Sequence, residues 1–254
     1  MSKIVSIHSF RGGTGKSNTS ANVSTLLAQK GYRVGVVDTD IQSPGIHVLF
    51  NLEDSDIKHS LNDYLWGKCE IKEAAQDVTG RVGAEIKGQL FLIPSSIKAG
   101  EIARVLREGY DVGLLNDGFR SLVKELKLDY LIIDTHPGLN EETLLSIAIS
   151  DVLLIILRPD QQDFQGTAVT VDIARSLDVT NLLLMVNKAV PEKYDYEDLK
   201  QQVQKAYSAP LTGILPLNFE LADNGSRDLF SLSRPDHDWS RELRKVADAI
   251  LAVK

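Results

Sequence analysis

The chain has very little cysteine and no long apolar run. Cys69 is its one cysteine, so no intramolecular disulfide can form, and we expect a reducing, cytoplasmic compartment. No stretch approaches the roughly 20 consecutive apolar residues that a membrane-spanning helix needs. The N-terminus runs directly into a short apolar stretch and meets Arg11 early. We therefore expect neither a signal peptide nor a membrane anchor.

Positive charge is also in deficit. The 28 Lys and Arg residues face 35 Asp and Glu residues, which gives a formal net charge of −7. A field of this sign opposes nonspecific binding to nucleic acid and to anionic membranes, although a local basic patch could still bind DNA. The 254 residues are 43% hydrophobic, which is enough for a large core. We predict one α/β domain over residues 1–254.

Short apolar runs recur along the chain, and helical patterns separate them. Runs rich in Val, Ile and Leu are typical of parallel strands that are covered on both faces. Alternation of strands and helices predicts a doubly wound, mostly parallel sheet with helices on both faces. The predicted strands are residues 4–7, 34–37, 90–93, 130–133, 152–157, 182–186 and 211–215.

Two further segments give weaker patterns. In residues 52–88, Leu61 and Leu65 belong to a short amphipathic pattern with Tyr64 and Trp66, and a turn is expected at residues 80–83. We expect this insertion on the ligand side, where it could set partner specificity. The last helical pattern, residues 239–253, has apolar residues at steps of three and four. We interpret it as packing on the sheet rather than as a membrane-targeting helix, since acidic residues dilute its basic ones.

Residues 10–17 read Phe-Arg-Gly-Gly-Thr-Gly-Lys-Ser, between a predicted strand and a predicted helix. This order predicts a phosphate-binding loop, because glycines let the backbone approach phosphate and a helix N-terminus attracts anions. Lys16 would add a charge and Ser17 a hydroxyl ligand for Mg²⁺. The predicted phosphate contacts are Gly12, Gly13, Thr14, Gly15, Lys16, Ser17 and Asn18.

Carboxylates follow two of the predicted strands. Asp38 and Asp40 end one strand at positions i and i+2, which on an extended chain would point both side chains the same way. Asp134 ends another strand. Carboxyl ends of parallel strands form the ligand crevice of such sheets, and Mg²⁺ prefers oxygen ligands. Together with the loop, these acids favour nucleotide chemistry over simple turn or cap roles.

The loop resembles the deviant Walker A motif of the MinD/ParA family, usually Lys-Gly-Gly-x-Gly-Lys-(Thr/Ser). Arg11 stands where that family has a lysine that reaches the nucleotide of a partner subunit, and Phe10 replaces the usual first glycine. The resemblance implies that Arg11 acts across an ATP-dependent homodimer. The alternative is that Arg11 folds back onto an acid of its own subunit, such as Asp40.

The resemblance also extends to later segments. Residues 134–138 read Asp-Thr-His-Pro-Gly, similar to the family's Walker B and switch II segment except for His136. It implies that Asp134 holds Mg²⁺ through water, that Asp38 lies beside the metal shell, and that Asp40 orients the attacking water. Asn187 and Pro216 would contact adenine. His136 could be a general base, a pH-sensitive switch, a partner contact or only a loop histidine.

Four functions are compared at this stage, and the sequence argues against the last two. The first is an ATPase switch, with catalytic Asp40, Lys16 and Arg11, that dimerises with ATP and positions an unidentified protein partner or cargo. The second is a regulatory module that binds ATP with little hydrolysis. A metallocluster carrier would need paired cysteines, which the chain lacks. A tyrosine kinase of the bacterial type would need a C-terminal tyrosine cluster, and no tyrosine follows Tyr207.

Overall fold

The computed structural model describes residues 2–83 and 85–253, and in that part of the chain eight strands form one sheet. Seven of them are the predicted strands, several of which extend by one to three residues. The strands are β1 (Lys3–His8), β2 (Arg33–Asp38), β3 (Gln76–Asp77), β4 (Gln89–Ile93), β5 (Tyr130–Asp134), β6 (Val152–Leu157), β7 (Leu182–Ala189) and β8 (Leu211–Pro216).

The strand order across the sheet is β3-β4-β2-β5-β1-β6-β7-β8. Every neighbouring pair is parallel except β3 with β4. This arrangement confirms the predicted doubly wound, mostly parallel sheet. The sequence did not predict β3, because its two polar residues carry no apolar pattern and lie within the poorly readable segment 52–88.

Helices cover both faces of the sheet. The described residues form α1 (Lys16–Gln29), α2 (Ile46–Leu49), α3 (Leu61–Leu65), α4 (Ala99–Glu108), α5 (Gly113–Glu125), α6 (Glu141–Ala148), α7 (Gln161–Ser176), α8 (Tyr196–Tyr207), α9 (Phe219–Asn224), α10 (Phe230–Ser233) and α11 (Asp238–Ala252). Three short 3-10 turns, Asp54–Asp56, Ile71–Ala74 and Thr79–Arg81, lie in the segment 52–88.

Alternate strand residues enter cores on opposite faces, as the period of a strand requires. Leu154 of β6 belongs to the core that α1 and α11 cover. Its neighbours Leu153 and Ile155 belong to a second core under α7 and α8. Both faces of β6 are therefore buried, which explains why its sequence is apolar without interruption.

The C-terminal helix α11 packs on the sheet, as predicted. It lies against β8 and α1, and its apolar stripe of Trp239, Leu243, Val246 and Ile250 is buried. In residues 2–83 and 85–253, no helix is both long and apolar enough to cross a membrane.

The features that the sequence predicted for the site lie together at one edge of the sheet, the edge formed by the carboxyl ends of the parallel strands. The phosphate-binding loop follows β1 there, and Asp38 and Asp134 end β2 and β5. The predicted helix α3 reaches the same edge, since Leu61 N donates to the carbonyl of Pro94, which follows β4. The first part of the insertion therefore lies on the expected ligand side, whereas residues 76–78 run back along β4 towards its start.

Candidate nucleotide-binding site

The phosphate-binding loop (residues 10–17) passes from β1 into α1. Gly13 and Gly15 have positive φ angles of 76° and 96°, which favour glycine. Gly15 is the N-cap of α1, so the unpaired N–H groups of the helix open onto the loop. Lys16 is the first helical residue and is only 7% exposed. The predicted combination of backbone donors and one lysine is thus assembled in this structure.

The end of β7 holds the loop in place. Asn187 Nδ2 donates to Thr14 O at 2.8 Å, and Lys188 Nζ donates to Gly13 O at 2.7 Å. A Cβ atom on residue 15 would lie 2.6 Å from Asn187 Nδ2. Gly15 is therefore required twice, once by its backbone angle and once by the close approach of Asn187.

Asp38 and Asp134 stand opposite each other in the β2–β5 register, and each is 1% exposed. Ser20 Oγ donates to Asp134 Oδ1 at 2.9 Å, and the backbone of Asp40 donates to Asp38 Oδ1 at 3.0 Å. Burial raises the pKa of Asp134 to about 6 even though Lys16 opposes the shift. Burial, with the charge of Asp134, raises the pKa of Asp38 well above its usual value.

These carboxylates fit a magnesium ion. Lys16 offsets only part of the charge of these two buried carboxylates, whose pKa values stay raised, and a divalent cation would supply the rest. In the described ranges, no group of three or more His, Cys, Asp or Glu side chains is arranged to hold a metal ion without other ligands. Mg²⁺ keeps several waters and needs few protein ligands. Ser17, next to Asp134, completes an all-oxygen donor set, and these metal roles stay a prediction.

Asp40 lies two residues beyond the end of β2, and a turn begins there, because the Asp40 carbonyl accepts from Ser43 N at 3.2 Å. That Asp38 and Asp40 point their side chains the same way stays a prediction. The two residues are in contact, because the Asp40 amide donates to the Asp38 carboxylate. His136 Nδ1 lies 3.7 Å from Asp40 Oδ1.

His8 ends β1 just below this loop and is completely buried. Its Nδ1 lies 2.8 Å from Thr135 Oγ1, whose own proton goes to Ile7 O. The ring must then donate from Nδ1, since the hydroxyl proton is already used. Burial and the charge of Lys16 lower the pKa of His8 to about 3, so the imidazole is neutral and fixes the segment after β5 to β1.

Arg11 contacts two acids of its own chain. Its Nη1 lies 3.5 Å from Asp163 Oδ1 and 3.7 Å from Asp160 Oδ1. This geometry corrects the partner that the sequence suggested for a folded-back Arg11, because the acids come from the start of α7 and not from Asp40. The reason is the strand order, which places β6 directly beside β1.

Asp163 does not depend on Arg11 alone. It is 2% exposed and receives Arg158 Nε at 3.0 Å, Arg158 Nη2 at 3.2 Å and the Arg158 backbone amide at 2.9 Å. A bidentate arginine is a strong partner for a buried carboxylate. Arg11, whose side chain is 39% exposed, is thus a second and weaker partner.

Phe10 is fixed to the same helix. A Cβ atom on Gly166 of α7 would lie 2.0 Å from Phe10 Cδ1, so the ring occupies the space that any larger residue would need. The two departures from the usual motif, Phe10 and Arg11, are therefore both accommodated by α7.

A cavity of about 290 Å³ opens beside the loop, at the small end of the range for ligand sites. The predicted residues Gly15, Asn18, Asn187 and Pro216 line it. Leu217, Asn218, Leu221 and Trp239 line it too, and sequence reasoning missed them as site residues. Asn218 follows Pro216 closely enough to have been considered, whereas Trp239 was hidden within the apolar stripe of α11.

A protein-family model described as an AAA domain matches residues 2–196. The chain is 27% identical over 216 residues to an uncharacterised ATP-binding protein of Methanocaldococcus jannaschii, with 85% of this chain and 75% of that protein covered. It is 30% identical over 194 residues to the flagellum site-determining protein YlxH of Helicobacter pylori. That match covers 75% of this chain and 60% of the Helicobacter protein, less than two thirds of its length.

A solved structure shares the fold at lower identity. The septum site-determining protein MinD of Pyrococcus horikoshii, complexed with Mg-ADP, superimposes with a TM-score of 0.80 at 19% identity. The superposition covers 98% of this chain and 96% of that one.

Proposed function

Because the chain belongs to the MinD/ParA family of P-loop ATPases, we propose that it binds and hydrolyses ATP as a switch that dimerises and regulates or positions a partner. One observation carries the proposal. The glycine-rich loop presents Lys16 and the N-terminus of α1 on the same edge of the sheet as the buried pair Asp38 and Asp134. That is what a magnesium-bound triphosphate requires.

The residues divide the work of phosphoryl transfer to water. Lys16 and the backbone of residues 12–17 bind the phosphates, and Ser17, Asp38 and Asp134 would hold Mg²⁺, directly or through water. Bound Mg²⁺ neutralises charge that develops on the phosphate oxygens. Asp40 orients the attacking water, a role that rests on the family resemblance. Positioning and charge neutralisation are the main demands of this reaction.

Arg11 is the group proposed to reach the nucleotide of a second subunit. Its two ion pairs are partly exposed, and exposed pairs contribute little to stability. When Arg11 leaves, Asp163 keeps its bidentate contact with Arg158. No buried carboxylate is then left without a cation, so the cost of moving Arg11 is small. The guanidinium could afterwards bind phosphate oxygens in a bidentate fashion.

The second candidate is a regulatory module that binds ATP with little hydrolysis. The contact of Arg11 with Asp160 and Asp163 favours it, because a residue held on its own subunit cannot complete a site across a dimer. We place either protein in the cytoplasm with an unidentified protein partner, and the negative net charge disfavours DNA.

Turnover and binding together separate the two candidates. We would measure ATP affinity by calorimetry and phosphate release for the wild type, for Asp40→Ala, and for the control Asp248→Ala, whose side chain forms an exposed ion pair with Lys30. The switch predicts that all three bind ATP and that only Asp40→Ala loses turnover, by roughly 10²-fold or more. Wild-type binding without phosphate release would establish the module. Full turnover in Asp40→Ala would assign the water-positioning role to another residue, with His136 next.

A further inference from the structure

One ring nitrogen of His136 is buried and has no hydrogen-bond partner in the described part of the chain. This atom, Nδ1, is shielded from solvent, although the side chain as a whole is 21% exposed. The ring therefore turns its Nδ1 edge inward. An unpaired buried polar atom is costly, and such atoms in folded proteins need an explanation. An acceptor that this nitrogen can reach would provide one.

Asp40 supplies an acceptor close to this nitrogen. Its Oδ1 lies 3.7 Å from His136 Nδ1, slightly beyond hydrogen-bond distance. The same oxygen accepts from Ser43 N at 3.2 Å. An ionised carboxylate has about four acceptor sites and no donor, so Asp40 can bind the ring without losing its bond to Ser43. In such a contact the imidazole is the donor.

The two side chains come from the segments that follow β2 and β5, on the edge of the sheet that carries the predicted phosphate site. The segment of His136 is held to the start of the phosphate-binding loop, because Gly138 N donates to Ser9 O at 3.2 Å. The segment of Asp40 is held by its own turn at Ser43. A small rotation of either side chain closes the pair, and catalytic contacts are often long before substrate binds.

We propose that His136 is a positioning residue for ATP hydrolysis, whose Nδ1–H donates to Asp40 and orients this carboxylate towards the attacking water. The inference rests on the proposed function, in which Asp40 orients that water. Phosphoryl transfer depends mainly on positioning and charge neutralisation, so the orientation of Asp40 affects the rate directly. Nδ1 carries the ring proton in this contact, because a lone pair facing an ionised carboxylate would be repelled.

Glu142, in the first turn of α6, is the competing acceptor for the ring. Burial raises the pKa of Glu142, and the neighbouring Tyr110 and His136 oppose that shift. Among the described residues, however, Asp40 is the acid in contact with the imidazole, and Glu142 is not. The test therefore includes variants of both acids.

Nuclear magnetic resonance tests the contact directly and does not require turnover. Spectra of isotope-labelled histidine show which ring nitrogen carries the proton, and a pH of about 8 keeps an ordinary imidazole neutral. We would record them with Mg²⁺ and a nonhydrolysable ATP analogue, and assign the His136 signals by their loss in His136→Asn.

We expect a proton on Nδ1 of His136 in the wild type and in Glu142→Gln. In Asp40→Ala the proton should move to Nε2, which is the form that free histidine prefers. An unprotonated Nδ1 in the wild type overturns the proposal. A proton that stays on Nδ1 in Asp40→Ala overturns it too, because Asp40 would then not be the acceptor.

Kinetic variants then test what the contact does. His136→Leu removes the donor, whereas His136→Asn places an amide N–H close to the position of Nδ1. We expect His136→Leu to lower kcat roughly tenfold with little change in KM, and His136→Asn to restore most of the loss. In an Asp40→Ala background, His136→Leu should have no further effect, since both residues act as one unit. Equal losses in the Leu and Asn variants contradict the proposal.

The matched control is His59→Leu. His59 lies in the insertion, and its backbone carbonyl, which the substitution leaves in place, accepts from Gln76 Nε2 at 3.4 Å. This variant should keep wild-type turnover. A wild type that binds ATP and releases no phosphate would refute the proposed function, and with it any role in hydrolysis. If the wild type hydrolyses ATP and His136→Leu does so equally well, only the role of His136 fails.

Discussion

Arg11 shows how one residue can keep its charge and change its task. Its guanidinium meets Asp160 and Asp163 in its own chain, while Arg158 already neutralises Asp163. Lysine presents a compact charge, whereas arginine presents a planar fork that suits two carboxylates or a phosphate. The residue is therefore equipped for both the cis contact in this structure and a contact across a dimer.

Arg11→Ala should abolish dimerisation in the presence of a nonhydrolysable ATP analogue, because no other cation of the loop precedes the two glycines. Sedimentation velocity with and without the analogue measures this. The control is Arg81→Ala, which loses exposed contacts with Asp56 and with the carbonyl of Asn51, in the segment that follows α2. A dimer of wild-type strength in Arg11→Ala would show that the cross-subunit role has moved or been lost. If Arg11→Lys keeps dimerisation and turnover, charge alone matters.

Lys16→Ala should lose nucleotide binding, since the phosphates would face backbone donors without their compensating charge. We expect a loss of roughly 10²-fold or more in ATP affinity, as for a charge-assisted bond in a partly buried site. Calorimetry measures it, with Lys30→Ala as the control because Lys30 forms an exposed ion pair with Asp248. ATP affinity close to that of the wild type in Lys16→Ala would contradict the prediction that residues 10–17 form a phosphate-binding loop.

The site residues that follow apolar strands directly could be predicted from the sequence. Lys16, Asp38 and Asp134 come from local patterns of strand and loop, and the structure brings them to one edge. The partners of Arg11 could not be predicted in this way, because Asp160 and Asp163 become neighbours only through the order of β1 and β6 in the sheet. Residues 158–163 are mostly polar, but no local pattern indicates that they face residue 11.

At the scale of elements, α7 supports the phosphate-binding loop. Phe10 packs where a side chain at Gly166 would stand, and Arg11 contacts the first turn of the helix. The loop is therefore held at two points, by α7 at its start and by the end of β7 at Gly13 and Thr14. Both supports come from the part of the sheet that contains β6 and β7.

Gly166→Ala should displace Phe10 and weaken ATP binding although residue 166 is outside the predicted nucleotide contacts. Overpacking of this kind costs about 1–3 kcal/mol, and for a chain of this size each kcal/mol lowers Tm by roughly 2–4 °C. Differential scanning calorimetry and ATP titration check both effects. Gly100→Ala in α4 is the control, since nothing lies within 4 Å of the added Cβ. Its Tm should stay the same or rise slightly.

The sequence predicted a strand or helix correctly where a single local pattern of apolar residues defines it. The seven apolar strands and the stripe of α11 follow from period and composition, and the structure confirms them. The strand β3 has only Gln76 and Asp77, and it forms because β4 offers an edge to pair with. The neighbouring strand β4 determines where β3 forms, and the residues of β3 do not, so no local sequence pattern predicts this strand.

At the scale of the whole molecule, binding of Mg-ATP should raise the free energy of unfolding. At a free Mg-ATP concentration of 100 times Kd, mass action adds about 2.7 kcal/mol to the free energy of unfolding. With roughly 2–4 °C per kcal/mol, we expect Tm to rise by about 5–10 °C in a thermal melt. Lys16→Ala should show no rise at the same concentration. An equal rise in that variant would mean that the nucleotide binds elsewhere.

The end of β7 contacts both regions that the nucleotide is proposed to occupy. Asn187 lines the cavity proposed for the base and also hydrogen-bonds the loop that would bind the phosphates. Because one amide belongs to both halves, adenosine and tripolyphosphate should not bind as independent fragments, and the presence of one should change the affinity for the other. Base selectivity and phosphate affinity then depend on the same residue. A substitution of Asn187 that lowers selectivity for the base would therefore also lower affinity for the phosphates.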